Sequence, residues 1–132
     1  MSEATMETKV ISTDKAPGAV GPYSQAIMAG NLVFSSGQLP IDPETGKMPE
    51  GPIAVRAHQV FKNLQAIAQE AGATLKDVVK TTVLLADIKD FQAVNEVYAE
   101  YFKAPYPARS AFQVAALPLG ADIEVEAIIL TK

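Results

Sequence analysis

Two stretches of the chain repeat apolar residues at the three-and-four spacing of a helix, and several others cluster or alternate them as strands do. Ala57, Val60, Phe61, Leu64, Ile67, Ala68 and Ala71 draw one apolar face on a helix predicted over residues 53–71, which Gly72 ends. Phe91, Val94, Val97, Tyr98, Tyr101 and Phe102 draw a second, with Asp90 as N-cap and Pro105 barring its continuation. Residues 24–29 and 32–36 read as a hairpin turned by Gly30-Asn31. Residues 10–13 form a short edge strand, and residues 74–77 a turn or single helical turn before a strand at 78–86. The 83–86 end of that strand is apolar on both faces and predicts cover on both sides. A last strand alternates Ile123, Val125, Ala127 and Ile129 with Asp122, Glu124 and Glu126.

Strands, helix, strand, helix and two strands predict an α+β layer in which two helices cover one face of a mixed sheet. The other face is left bare. A chain of 132 residues has room for one core, so a second apolar sheet face must be buried against a copy of the same chain. The expectation is a homo-oligomer with interface clefts as its pockets. Residues 1–8, polar and without periodicity, read as a flexible N-terminal extension, and residues 9–132 as the single domain.

Composition narrows the function. Hydrophobic residues make up 48% and aromatics 7%, so the core is aliphatic. No apolar run approaches the roughly 18 to 20 residues of a membrane span, and the basic-then-apolar pattern of a signal peptide is missing. A cytoplasmic location and no membrane partner are expected. Without cysteine there is no disulfide, thiolate metal site or cysteine nucleophile. The net charge is −4 and the 11 basic residues are scattered, which argues against a nucleic-acid partner. One histidine and unclustered carboxylates give no metal site. His58 falls with Lys62 and Gln65 on the polar side of its helix and reads as a solvated position.

Candidate chemistry lies in residues 105–128, where one arginine and two glutamates enter otherwise apolar sequence. Pro105 and Pro107 impose extended geometry, so Arg109 emerges at the start of a strand. The linker 117–121 is short enough for this strand to pair antiparallel with the last one, placing Arg109 and one acid on a common face. A guanidinium offers a rigid fork for a carboxylate, and a nearby acid can aim a water. Together they make a minimal site for a small 2-oxo or 2-imino acid. A cross-strand ion pair between Arg109 and Glu124 or Glu126 is the competing reading. Gly37, just past a strand, either brings a backbone N–H close to a ligand or is a bulge or turn glycine.

Six strings in register, Gly21-Pro-Tyr-Ser-Gln25, Ser36-Gly-Gln38, Val79-Lys-Thr-Thr-Val83, Val94-Asn95, Pro107-Ala-Arg-Ser110 and Ile123-Glu-Val-Glu-Ala127, resemble the RidA (YjgF) family of reactive intermediate deaminases over residues 9–132. The resemblance implies a chorismate-mutase-like fold assembled as a homotrimer with a site in each inter-subunit cleft. It also implies hydrolysis of 2-iminobutanoate and 2-iminopropanoate, released by pyridoxal-phosphate-dependent dehydratases, to 2-oxo acids and ammonia, with no cofactor. By motif position Arg109 holds the substrate carboxylate and Glu124 orients water. Tyr23, Ser36 and Gly37 line the pocket, with Asn95 a further member. Ala111 stands where many relatives carry cysteine, and its backbone carbonyl is the expected contact. Glu126 is expected to be structural. Two other readings compete: a non-catalytic trimer that binds 2-oxo acids through Arg109 in the same way, and a ribonuclease or translation inhibitor, a role attributed to some relatives, which the acidic charge disfavours.

Overall fold

The computed structural model describes residues 7–132. It contains strands β1 (Thr8–Ile11), β2 (Ala26–Ala29), β3 (Leu32–Ser35), β4 (Val78–Leu85), β5 (Ala108–Gln113) and β6 (Ile123–Leu130) and helices α1 (Ile53–Glu70) and α2 (Phe91–Tyr101). One mixed sheet runs in the order β1-β2-β3-β6-β4-β5. Strand β1 begins two residues earlier than expected, and most of the expected extension, residues 1–6, lies outside the described residues.

Both helices lie on one face of the sheet, as the apolar periodicity requires. Ala57, Val60, Phe61, Leu64, Ile67 and Ala68 of α1 are buried, and so are Val94, Val97 and Tyr98 of α2. They meet Val33, Val83, Val125 and Ile129, all fully buried, to form the core. At about 25 cal/mol per Å² of apolar surface removed from water, burial of this one face is the main force holding the layer together. Gly72 follows α1 with φ +79, the left-handed conformation that a helix-ending glycine adopts readily. Gly30 (φ 60) turns the β2–β3 hairpin as expected.

Entry into α2 differs from the expectation. Asp90 sits at the N-cap in helical geometry and its side chain caps nothing; Asp87 instead accepts from the Lys89 N–H at 2.9 Å, capping a 3₁₀ turn at Ile88–Asp90 that feeds α2. His58 is not a free solvated position either. Its Nδ1 lies 2.9 Å from the Tyr101 hydroxyl and its Nε2 3.7 Å from Glu100, so it closes the seam between the helices.

The largest correction concerns β5. It does not pair with β6 but runs parallel to β4, at the sheet's edge, with Thr81 opposite Arg109. Strand β4 lies between them and pairs with β6 antiparallel, placing Thr81 opposite Ala127 and Leu84 opposite Glu124. A parallel neighbour needs a crossover, and α2 supplies it. Ile123, Val125, Ala127 and Ile129 face the helices, so Glu124 and Glu126 face the other way. Arg109 shares the helix face with Thr81 and touches α2. The arginine and the acids therefore stand on opposite faces of the sheet.

The face away from the helices carries no layer of its own. Phe34 and Leu130 are each 43% exposed and Phe112 48%. Around Lys80, Thr82, Glu126 and Ile128 this face forms a shallow hollow of about 350 Å³. Leu84, at the strand end expected to be covered on both sides, is half-buried.

Candidate active site

Four of the expected site residues come together. Tyr23, Ser36, Gly37 and Glu124 line one cleft of about 480 Å³, walled on its apolar side by Val20, Leu39 and Leu119. Beyond the end of β3 the backbone continues alongside β6: the Gln38 N–H donates to Val125 O at 2.8 Å, and the Val125 N–H donates back at 3.2 Å. This pairing sets Gly37 directly against the side chain of Glu124. A Cβ at position 37 would overlap the Glu124 carboxylate outright. The glycine is neither a turn device nor simply a free N–H; its missing side chain is the space the acid occupies. Burial first, and the like charge of Glu126 second, push the Glu124 carboxyl above its ordinary value. A carboxylate raised in this way accepts a proton more readily at neutral pH, which suits a general base.

The opposite wall of the cleft is a loop held by one side chain. Gln25 is 4% exposed; its Nε2 donates to the carbonyls of Thr13 (3.0 Å), Ala16 (3.3 Å) and Pro17 (2.7 Å), and its Oε1 accepts from the Thr13 N–H at 2.7 Å. A buried amide that satisfies a loop's backbone fixes the loop in place. Ser36 is tied on both sides, its N–H donating to Gln25 O (2.8 Å) and its hydroxyl to Ser24 O (2.5 Å). At the rim, Leu119 takes the left-handed conformation (φ 58, ψ 21) and is 72% exposed. Such geometry is costly for a leucine, and strain of this kind gathers at ligand sites.

Arg109 and Asn95 belong to a second pocket, of about 470 Å³, lined also by Tyr98, Tyr106 and Pro107. Arg109 Nη1 donates to Asn95 Oδ1 at 2.6 Å. Its guanidinium carbon lies 4.8 Å from the ring centre of Tyr98 and 5.2 Å from that of Phe91, within cation–π range. The Tyr98 hydroxyl shares a 2.8 Å hydrogen bond with Thr81, and burial pushes its pKa up. Ala111, two residues beyond Arg109 on β5, is half-buried and packs against the core. Within one chain the arginine's pocket and the acid's cleft are separate.

Neither Gln25 nor Tyr98 was singled out from sequence as a site residue. Gln25 reads as an ordinary polar strand residue and Tyr98 as an ordinary core aromatic. One available signal was spacing: Phe91, Asn95 and Tyr98 fall at i, i+4 and i+7, one stripe of α2.

The endoribonuclease L-PSP family model matches residues 13–131. The chain belongs to the RidA (YjgF) family. Over 128 residues it is 55% identical to Reactive Intermediate Deaminase A, chloroplastic, of Arabidopsis thaliana, covering 97% of this chain and 68% of the relative. It is 53% identical over 122 residues to the human 2-iminobutanoate/2-iminopropanoate deaminase, covering 92% and 89%. Among solved structures, RidA from an Antarctic Psychrobacter superposes with a TM-score of 0.89 at 52% identity, over 92% of this chain and 98% of that one. Escherichia coli TdcF with bound serine superposes at 0.90 with 42% identity, over 94% and 99%. The α+β layer with two helices on one face is thus the family's fold. No helix among the described residues is long and apolar enough to cross a membrane.

Proposed function

We propose that this RidA protein is a 2-iminobutanoate/2-iminopropanoate deaminase that works at clefts between the subunits of a homotrimer. The observation that carries the reading is the division of the site: a carboxylate raised in pKa lines one cleft and an oriented guanidinium lines another, on opposite faces of the sheet. The chemistry of this reading draws on both halves, one to grip the carboxylate and one to aim the water. A head-to-tail ring in which one subunit's Glu124 cleft meets the next subunit's Arg109 edge completes the site and covers the exposed Phe34, Phe112 and Leu130. The chorismate-mutase-like label and a cytoplasmic location belong to this same reading.

Arg109 grips the substrate carboxylate through two N–H groups, with Asn95 holding Nη1 from behind. Glu124 takes a proton from water as its oxygen bonds to C2, and the C=N π electrons move to nitrogen. Nitrogen takes that proton from Glu124, giving the carbinolamine. Glu124 then takes the hydroxyl proton as the C=O bond forms, the C–N bond breaks with its electron pair on nitrogen, and that second proton passes to the leaving nitrogen, so ammonia departs with the 2-oxo acid. In this reading Tyr23 and Ser36, which line the Glu124 cleft, and the Ala111 carbonyl orient the imine nitrogen. Imines already hydrolyse in water, so positioning and local electrostatics are all the site must add. Its substrates are the products of pyridoxal-phosphate-dependent dehydratases.

The test is a threonine dehydratase reaction with semicarbazide trapping free imine. Added protein should suppress the trapped adduct and Arg109→Ala should not; equal behaviour of the two removes the assignment. A sensor that only binds 2-oxo acids differs at Glu124→Gln, which would keep 2-oxobutanoate affinity and have no turnover to lose. The family description names an endoribonuclease, yet the net charge of −4 offers phosphates little attraction. An RNA-cleavage assay on the same preparation separates that activity.

A further inference from the structure

An arginine at a sheet edge has a long, mobile side chain, and its fork selects a carboxylate only when its plane is held. The structure shows what holds it. Phe91, Asn95 and Tyr98 present one stripe of α2 to Arg109: two ring faces at 5.2 and 4.8 Å and one amide oxygen at 2.6 Å. Tyr98 is held in turn. Its ring packs on Phe61 (centroids 5.6 Å) and Phe102 (4.4 Å), contacts that a phenylalanine would make equally well. What the tyrosine adds is a hydroxyl bonded to Thr81, a fully buried residue of β4 whose register partner on β5 is Arg109 itself. A hydroxyl pair enclosed in an apolar core costs desolvation on both sides and is retained only where the two satisfy each other, fixing the ring's position as they do so.

We propose that Tyr98 and Phe91 are positioning residues for Arg109, with Thr81 pinning Tyr98, so that the guanidinium presents its Nε–Nη2 edge to an incoming carboxylate. Asn95 Oδ1, already taken by Nη1, acts through Arg109, and only its amide N–H groups remain for a ligand. The inference deepens the deaminase reading and rests on Arg109 as the carboxylate grip.

The chain has two arginines, Arg56 and Arg109, so a side-chain ¹H–¹⁵N spectrum resolves two Nε–H signals. That of Arg56 faces Asp122 at 2.9 Å, whereas that of Arg109 lies in the shielding zone of two rings. The Arg109 signal is expected upfield of the Arg56 signal, moving toward the random-coil position in Phe91→Leu and broadening in Tyr98→Phe and Thr81→Val. Affinity for 2-oxobutanoate, measured by calorimetry, should weaken about three- to tenfold in each variant, as expected for a lost or misaligned cation–π contact. The effect should fall on KM with kcat little changed. Thr81→Val combined with Tyr98→Phe should be no worse than either alone, because the two act as one unit. Phe91 is half-buried at the first position of α2, so its variant reports even where a core change fails to fold. Folded Phe91→Leu with an unmoved Arg109 signal and wild-type affinity overturns the proposal. If wild type and Arg109→Ala bind 2-oxobutanoate equally poorly, the deaminase reading falls instead, and the Arg109 signal alone then decides whether the rings position it.

Discussion

The Glu124 cleft and the Arg109 pocket prepare opposite charges by opposite means. Glu124 is set apart by withdrawal from water: a glycine gives it room, burial raises its pKa, and Glu126 raises it further. Arg109 stays exposed and is disciplined by orientation alone. An acid that must exchange a proton needs a tuned pKa, whereas a cation that must recognise shape needs a fixed plane. The contrast also explains how the two can be built on opposite faces of one sheet: they need different surroundings, and within a single chain they need not meet.

The sharpest way to break the comparison is subunit mixing. Arg109→Ala and Glu124→Gln should each remove nearly all turnover as pure preparations. If the halves belong to neighbouring subunits of a ring, co-refolding the two inactive proteins at equal amounts should regenerate intact sites at roughly a quarter of all interfaces, by random assembly of a head-to-tail ring. Absence of regained activity in mixtures that size-exclusion chromatography shows to be assembled would place both residues in one subunit's site.

Gly37→Ala acts on the acid side only. Its new Cβ meets the Glu124 carboxylate, so the acid or the strand must shift, at a cost of about 1–3 kcal/mol by the usual penalty of overpacking. Turnover should fall by an order of magnitude or more while the Arg109 Nε–H signal stays in place. Retained wild-type turnover would show that the glycine is not what seats the acid.

The smallest effect is on pH. On the proposed mechanism ionised Glu124 is the base, so kcat/KM should decline as pH falls, with a midpoint above the ordinary 4.5, and Glu126→Gln should move that midpoint down by removing a like charge. The sign for stability is opposite. A carboxyl whose folded pKa exceeds its unfolded one binds more protons when folded, so its stabilising contribution is present below 4.5 and is lost as pH rises through the folded value. Glu124→Gln should flatten that slope in urea melts taken across the window. An unchanged slope would mean that other groups carry it.

Much of this was legible in the residue order because burial dictates period. The stripes of α1 and α2, the Gly30 turn and the alternation of β6 follow from which side chains must leave water. Strand pairing did not follow. Residues 114–122 span a hairpin as readily as a passage beneath β4, and nothing in the linker reveals that β4 claims β5 as a parallel partner. Arg109 and Glu124, expected as neighbours on one face of an antiparallel pair, stand on opposite faces of the sheet instead. Gln25 and Asn63 escaped notice because buried amides resemble surface ones until their partners are known. Asn63, fully buried, donates to the carbonyls of Leu39 and Ile41 and so fastens the long 36–52 connection to α1.

Arg109 rides on the outermost strand of the sheet, and that border is weakly defended. Strand β5 is six residues long, has no proline or acidic residue, and is solvent-exposed at every position except Ala111. Natural sheets usually guard such borders with charges, prolines or bulges against uninvited strands. A chain that leaves this border uncovered, as in mild denaturant, is thus at risk of irreversible clumping. A proline or lysine engineered at the tip of β5 would trade recognition for colloidal safety.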